Sequence, residues 1–100
     1  MIRSGTTPIH FFNISIDPSR IKTIKITYAQ GDIKITKHTD DCTIQEGCIV
    51  VSLSQEDTLS LDYCQLVEIQ IRILTKDDKS LASNIMRVSV AKCLDKEVLV

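Results

Sequence analysis

The chain has 100 residues, 43% of them hydrophobic and 25% charged, with a formal net charge of −1. Such a length and composition predict one soluble globular domain spanning 1–100 and exclude a disordered chain. No charge excess directs it to nucleic acid or an anionic membrane, and no run approaches the roughly 20 apolar residues that a membrane-crossing helix needs.

Apolar and polar residues alternate with a period of two along most of the chain, which predicts strands. The first expected strand covers 9–16, with Phe12, Ile14 and Ile16 on one face, and Asp17-Pro18-Ser19 ends it because proline cannot donate to a ladder. The second, 21–29, carries Ile24, Ile26 and Tyr28, and the third follows at 32–39. A turn at Gln30-Gly31 would pair Tyr28 with Ile33 and Ile26 with Ile35, and Lys25 and Thr27 with Thr36 and Lys34 on the wet face. Beyond Asp40-Asp41, strands at 42–45 and 48–54 flank Glu46-Gly47, a turn that sets Ile44 against Ile49 and Cys42 against Val51. The stretch SQEDT, 54–58, reads as a polar corner or a single helical turn capped by Ser54 or Thr58, and Leu59 and Leu61 lead into a short apolar piece. A strand at 65–75, containing VEIQIRILT, and a last one at 84–92 close the chain around an Asp77-Asp78-Lys79 turn. About seven mostly antiparallel strands with regular turn signals predict an all-β, immunoglobulin-like β-sandwich. Its expected core is Ile24, Ile26, Ile35, Val51, Ile69, Ile71, Val88 and Val90.

Four cysteines, Cys42, Cys48, Cys64 and Cys93, are expected to be free thiols, since no secretory signal is visible and the 46–47 turn sends Cys42 and Cys48 to opposite faces. His38 with Asp40 and Asp41 is the one base-and-acid cluster, but a local acid beside a surface histidine is more often a solvated turn than a positioned triad. His38, Cys42 and Cys48 have the spacing H-x3-C-x5-C, which lacks the C-x2-4-C knuckle of a zinc site. Neither Asp40-Asp41 nor Asp77-Asp78 has calcium-loop spacing, and no glycine-rich loop cradles phosphate. Lys22, Lys25, Lys34 and Lys37 read as a solvated sheet face, because stacking aromatics are too few for single-stranded nucleic acid. Lys34 and Glu68 are expected as neighbours across the sheet. No catalytic residue, metal or cofactor is expected.

The segments TPIHFF, IDPSRIKTIKITYAQGD, SLSQEDTLSL, VEIQIRILT and LASNIMRVSV resemble small prophage-encoded proteins, which in turn are similar to the immunoglobulin-like or fibronectin-like modules of phage tails and baseplates. The resemblance covers nearly the whole chain. It implies a non-enzymatic structural or docking module made in the bacterial host cytoplasm and carried on the virion if assembled. The implied partner is a protein, either a second copy of the chain or another virion protein, with no nucleic acid and no membrane. The alternative is an independent binding module for a host-surface carbohydrate or protein; the absence of tryptophan weighs against a sugar platform.

Within that reading the last hairpin supplies the expected partner surface. With Asp78-Lys79 at the turn, Leu74 would face Ser83 and Ile85 would face Arg72, and Leu81 would join them on the outer face. Leu74, Leu81 and Ile85, rimmed by Arg72 and Glu68, are therefore the candidate partner-binding residues. The competing expectation is that the tail, Val98 to Val100, folds over the same side chains.

Overall fold

Alternation becomes strands almost everywhere it occurs. The computed structural model describes residues 1–100 and is all-β, with 49% of residues in strands and one short helix. The strands are β1 (Ile2–Arg3), β2 (Ile9–Asn13), β3 (Ile21–Gln30), β4 (Ile33–His38), β5 (Cys42–Gln45), β6 (Cys48–Ser52), β7 (Val67–Thr75), β8 (Ser80–Ala82), β9 (Met86–Val88) and β10 (Val90–Ala91); α1 spans Gln55–Leu59. A small sheet runs β2-β6-β5, and a larger one runs β4-β3-β7, with β8 and β9 sharing the far edge of β7. Both sheets are antiparallel, and β1 pairs with β10 in parallel. Ten strands replace the expected seven because the last is broken into β9 and β10, β8 forms within the expected turn region, and β1 is added; Leu59 and Leu61 form no strand.

The inner faces of the two sheets meet in one core. Seven of the eight residues expected there are buried, Ile24, Ile26, Ile35, Val51, Ile69, Ile71 and Val90, while Val88 is half-buried at the rim. The core also takes Tyr28, Ile49, Leu53 and Val67. Ser54 caps α1: its Oγ accepts from the Asp57 N–H at 3.0 Å, and Asp57 Oδ2 accepts from the Ser54 N–H at 2.9 Å, a reciprocal box that satisfies two otherwise orphan donors.

Turn chemistry explains which registers hold. Glu46 and Gly47 both have positive φ, 48° and 77°, the requirement of a type I′ turn, and the hairpin pairs Ile44 with Ile49 and Cys42 with Val51 as expected. The β3–β4 turn lies one residue later than expected, at Gly31-Asp32, with Gly31 at φ 57°. Tyr28 therefore meets Ile35, Ile26 meets Lys37, Thr27 meets Thr36 and Lys25 meets His38. A slip of two residues keeps the faces that alternation assigns, and Lys37, expected on the solvated face, stands opposite Ile26 on the inner side with its side chain only 18% exposed. Lys34 and Glu68 are not neighbours: Ala29 of β3 stands between them, and Glu68 pairs instead with Arg87 at 3.1 Å.

The β7–β8 hairpin differs by an odd number, with larger consequences. Asp78 adopts φ 63°, and Thr75 closes the loop against Lys79, its N–H donating to the Lys79 carbonyl at 2.9 Å. Leu74 then pairs with Ser80, Ile73 with Leu81 and Arg72 with Ala82. Leu81 thus shares the inner face with Ile73, because a side chain changes face with every residue of slip.

Candidate functional site

The small sheet turns an uncharged face to solvent. Opposite strands place Phe11, Val50 and Thr43 in one row and Asn13, Cys48 and Gln45 in the next, with Ile9 beside Ser52. Phe11 is 65% exposed and Ile9 59%, while Val50 and Cys48 are half-buried beside them. Cys48 Sγ lies 3.1 Å from Asn13 Oδ1, a weak thiol hydrogen bond that ties β6 to β2. In a chain that is one quarter charged, a sheet face without a charged side chain stands apart from its surroundings. The outer face of the larger sheet is the opposite: His38, Lys25 and Arg72 form one row, and Lys34, Ala29, Glu68 and Arg87 another.

The same region has an open strand edge. Leu53 N–H donates to the Pro8 carbonyl at 3.1 Å, and Ile14 N–H donates to the Gly47 carbonyl at 2.9 Å. Antiparallel ladders alternate, so the even-numbered residues of β2 bond to β6, and the N–H and C=O groups of Ile9, Phe11 and Asn13 point away from the sheet. Beneath this edge a groove of about 320 Å³ is walled by Met1, Ile9, Phe12, Ile69 and Met86, with His10 as its polar member. A second cleft of about 210 Å³ lies between Ile14 and Ile16 on one side and Ile71, Ile73 and Leu81 on the other.

The residues that sequence reasoning assigned to a partner surface do not converge. Leu74 is half-buried on the outer face of β7, and Ile85 is 47% exposed on that same face beside Gln70 and Glu68. Leu81, 43% exposed, looks into the cleft between the sheets. Arg72 reaches Ser80 at 3.4 Å and Glu68 is engaged by Arg87, so the two rim charges serve different strands. The tail is held at α1, where Leu99 exchanges hydrogen bonds with the Gln55 side chain at 2.8 and 3.0 Å. The better surface was missed because Phe12, Ile14 and Ile16 already supplied an inner face. The available signal was the out-of-phase pair Ile9 and Phe11 in IHFFN, apolar residues on the face that alternation assigns to water.

Two polar contacts join separate elements, one between the sheets and one between β4 and α1. His10 Nδ1 sits 2.6 Å from the Tyr28 hydroxyl, and burial followed by the nearby N-terminal ammonium pushes the His10 pKa down. Burial also pushes the Tyr28 hydroxyl up, with Cys42 and Asp57 adding to it. Lys37 Nζ meets Asp57 Oδ2 at 2.8 Å and fastens α1 to β4. Burial raises the Asp57 carboxyl, but the hydrogen bonds from Lys37 and Ser54 outweigh it and leave the pKa lowered. Asp41 accepts a hydrogen bond from the backbone N–H of His38 at 2.9 Å, not from its ring. Cys42 and Cys48 face opposite sides of the small sheet, and all four cysteines are unpaired. No helix is long and apolar enough to cross a membrane.

Comparison with family models, with curated proteins and with solved structures returned no match to this chain.

Proposed function

We propose that this protein is a non-enzymatic docking module that acts through protein–protein contacts, and that it serves as a structural part of a phage or prophage virion, at the tail or baseplate. The observation that carries the docking reading is the uncharged outer face of the small sheet, with Phe11 and Ile9 exposed beside an open edge. Aromatic side chains flanked by neutral polar ones are the composition of interface centres, where charge is depleted. The virion reading is supported by the resemblance of the TPIHFF, SQEDT and VEIQIRILT segments to prophage-encoded proteins. A protein partner fits better than a sugar. Lys92 Nζ lies 5.4 Å from the centre of the Tyr63 ring, so one face of an exposed aromatic is already occupied.

The test is incorporation. Virions purified from an induced host should contain the chain, and Phe11→Asp should lower its amount in particles by roughly tenfold or more, as for an interface anchor. Circular dichroism of the isolated variant should remain that of the wild type, since the Phe11 side chain is mostly exposed. Particles that lack the wild-type chain, or that take up the variant equally, overturn the reading.

A further inference from the structure

We propose that the partner of the β2 edge is a second copy of the same chain, joined across a two-fold axis at Phe11 so that the small sheet becomes six strands. This inference rests on the docking reading and adds to it the identity of the occupant.

The edge is self-complementary in its backbone. Free N–H and C=O groups occur at Ile9, Phe11 and Asn13, with Phe11 at the centre. A two-fold axis there sets Phe11 against its own copy and Ile9 against Asn13 of the partner subunit. Each of these pairs exchanges two backbone hydrogen bonds, so every free group finds a complement. The two Phe11 rings also meet on one face, because residues opposite each other in an antiparallel pair lie on the same side.

Charge distinguishes this edge from the others. A two-fold axis brings like groups near one another, so charges beside it repel. The β4 edge carries Lys34, Lys37 and His38, and β5 is flanked by Asp40, Asp41 and Glu46. The edge of β8 and β9 is interrupted between Ala82 and Met86. Charges and breaks are the devices by which sheets avoid edge pairing. From Ile9 to Ile16 no acid, lysine or arginine intervenes, and the one fixed charge near this edge is the N-terminal ammonium on the His10 side.

The area fits a modest dimer. Met1, Ile9 and Phe11 are 76%, 59% and 65% exposed and line one groove. These three side chains offer roughly 400 Å² per chain, and the flanking edge backbone brings the total over two copies to about 1,000 Å², the lower bound for a specific interface. The expected dimer is therefore concentration-dependent.

Sedimentation velocity over a concentration series tests the proposal. The wild type should shift from monomer to dimer, and Phe11→Asp, which sets two carboxylates face to face, should weaken association by roughly 100-fold or more. Ile9→Lys combined with Asn13→Asp should retain the dimer, because the axis places the new lysine opposite the partner's new aspartate. Thermal unfolding of each variant establishes that it is folded. A wild type that stays monomeric at every concentration overturns the two-fold edge, and so does a dimer indifferent to Phe11→Asp. Neither outcome touches the docking reading, which virion incorporation decides separately.

Discussion

His10 and Tyr28 illustrate how one contact couples the two sheets. Tyr28 is fully buried in β3, and its hydroxyl shares a hydrogen bond with His10 Nδ1 across the core at 2.6 Å. Burial of the imidazole, and then the nearby N-terminal ammonium, disfavour the protonated form, which is why its pKa falls below the ordinary 6.5. A histidine with a lowered folded pKa binds its proton more readily in the unfolded chain. Its stabilising contribution is complete above pH 6.5 and is lost as the pH falls below that value, levelling off below the lowered folded pKa. The melting temperature should therefore decline on mild acidification, and His10→Gln should abolish that part of the slope. An unchanged slope in the variant would assign it elsewhere. Asp57 acts in a separate window: its lowered pKa gives stability that is present above 3.8 and lost in stronger acid, as the folded carboxylate is protonated. Alternation in the sequence marked Tyr28 for the inner face, but its partner lies on a strand of the other sheet, which no local pattern identifies.

At the scale of elements, turns decide register and register decides faces. Gly47, at φ 77°, is the second centre of the β5–β6 turn, and a Cβ there would approach the Ile14 carbonyl only to 4.0 Å, an ordinary contact. Gly47→Ala should thus cost about 1–2 kcal/mol through backbone conformation alone, measured by urea unfolding. A loss below a few tenths would show that the hairpin tolerates another turn. The sequence made this hairpin legible because Glu46-Gly47 and the flanking alternation agree on one pairing. For β7–β8, alternation could not choose between the expected two-residue turn at Asp78-Lys79 and the three-residue loop of Lys76, Asp77 and Asp78 that forms. The left-handed conformation of Asp78 and the closure of Thr75 on Lys79 decided it, and Leu81 moved to the inner face. That movement dissolved the expected patch of Leu74, Leu81 and Ile85.

Over the whole molecule, β1 and β10 join residues from opposite ends of the sequence. Ile2 is 1% exposed, and its N–H donates to the Ser89 carbonyl at 2.9 Å. A core side chain on a two-residue strand should matter as much as one at the centre of β7. Ile2→Ala and Ile71→Ala should each cost about 2–5 kcal/mol in chemical denaturation, as large-to-small changes in a packed core do. A loss below half of one kcal/mol for Ile2 would mean that β1 is not part of the cooperative unit. The molecule measures 46 × 27 × 18 Å along its principal axes.

The sequence by itself determined the all-β class, most of the core residues and the β5–β6 hairpin. These follow from the period of two and from turn chemistry, which are interactions between near neighbours along the chain. Only the tertiary structure decided the β3–β4 slip, the β7–β8 register, the parallel β1–β10 pair and which edge was left open. Each of these is a choice among pairings of similar local quality: the turn conformations at Gly31 and Asp78 settled the two hairpins, and packing between segments far apart in sequence settled the other two. The exposure of Phe11 belongs to the second group. Its alternation marks it as outward, but whether another strand would cover it depended on where the chain placed all the others.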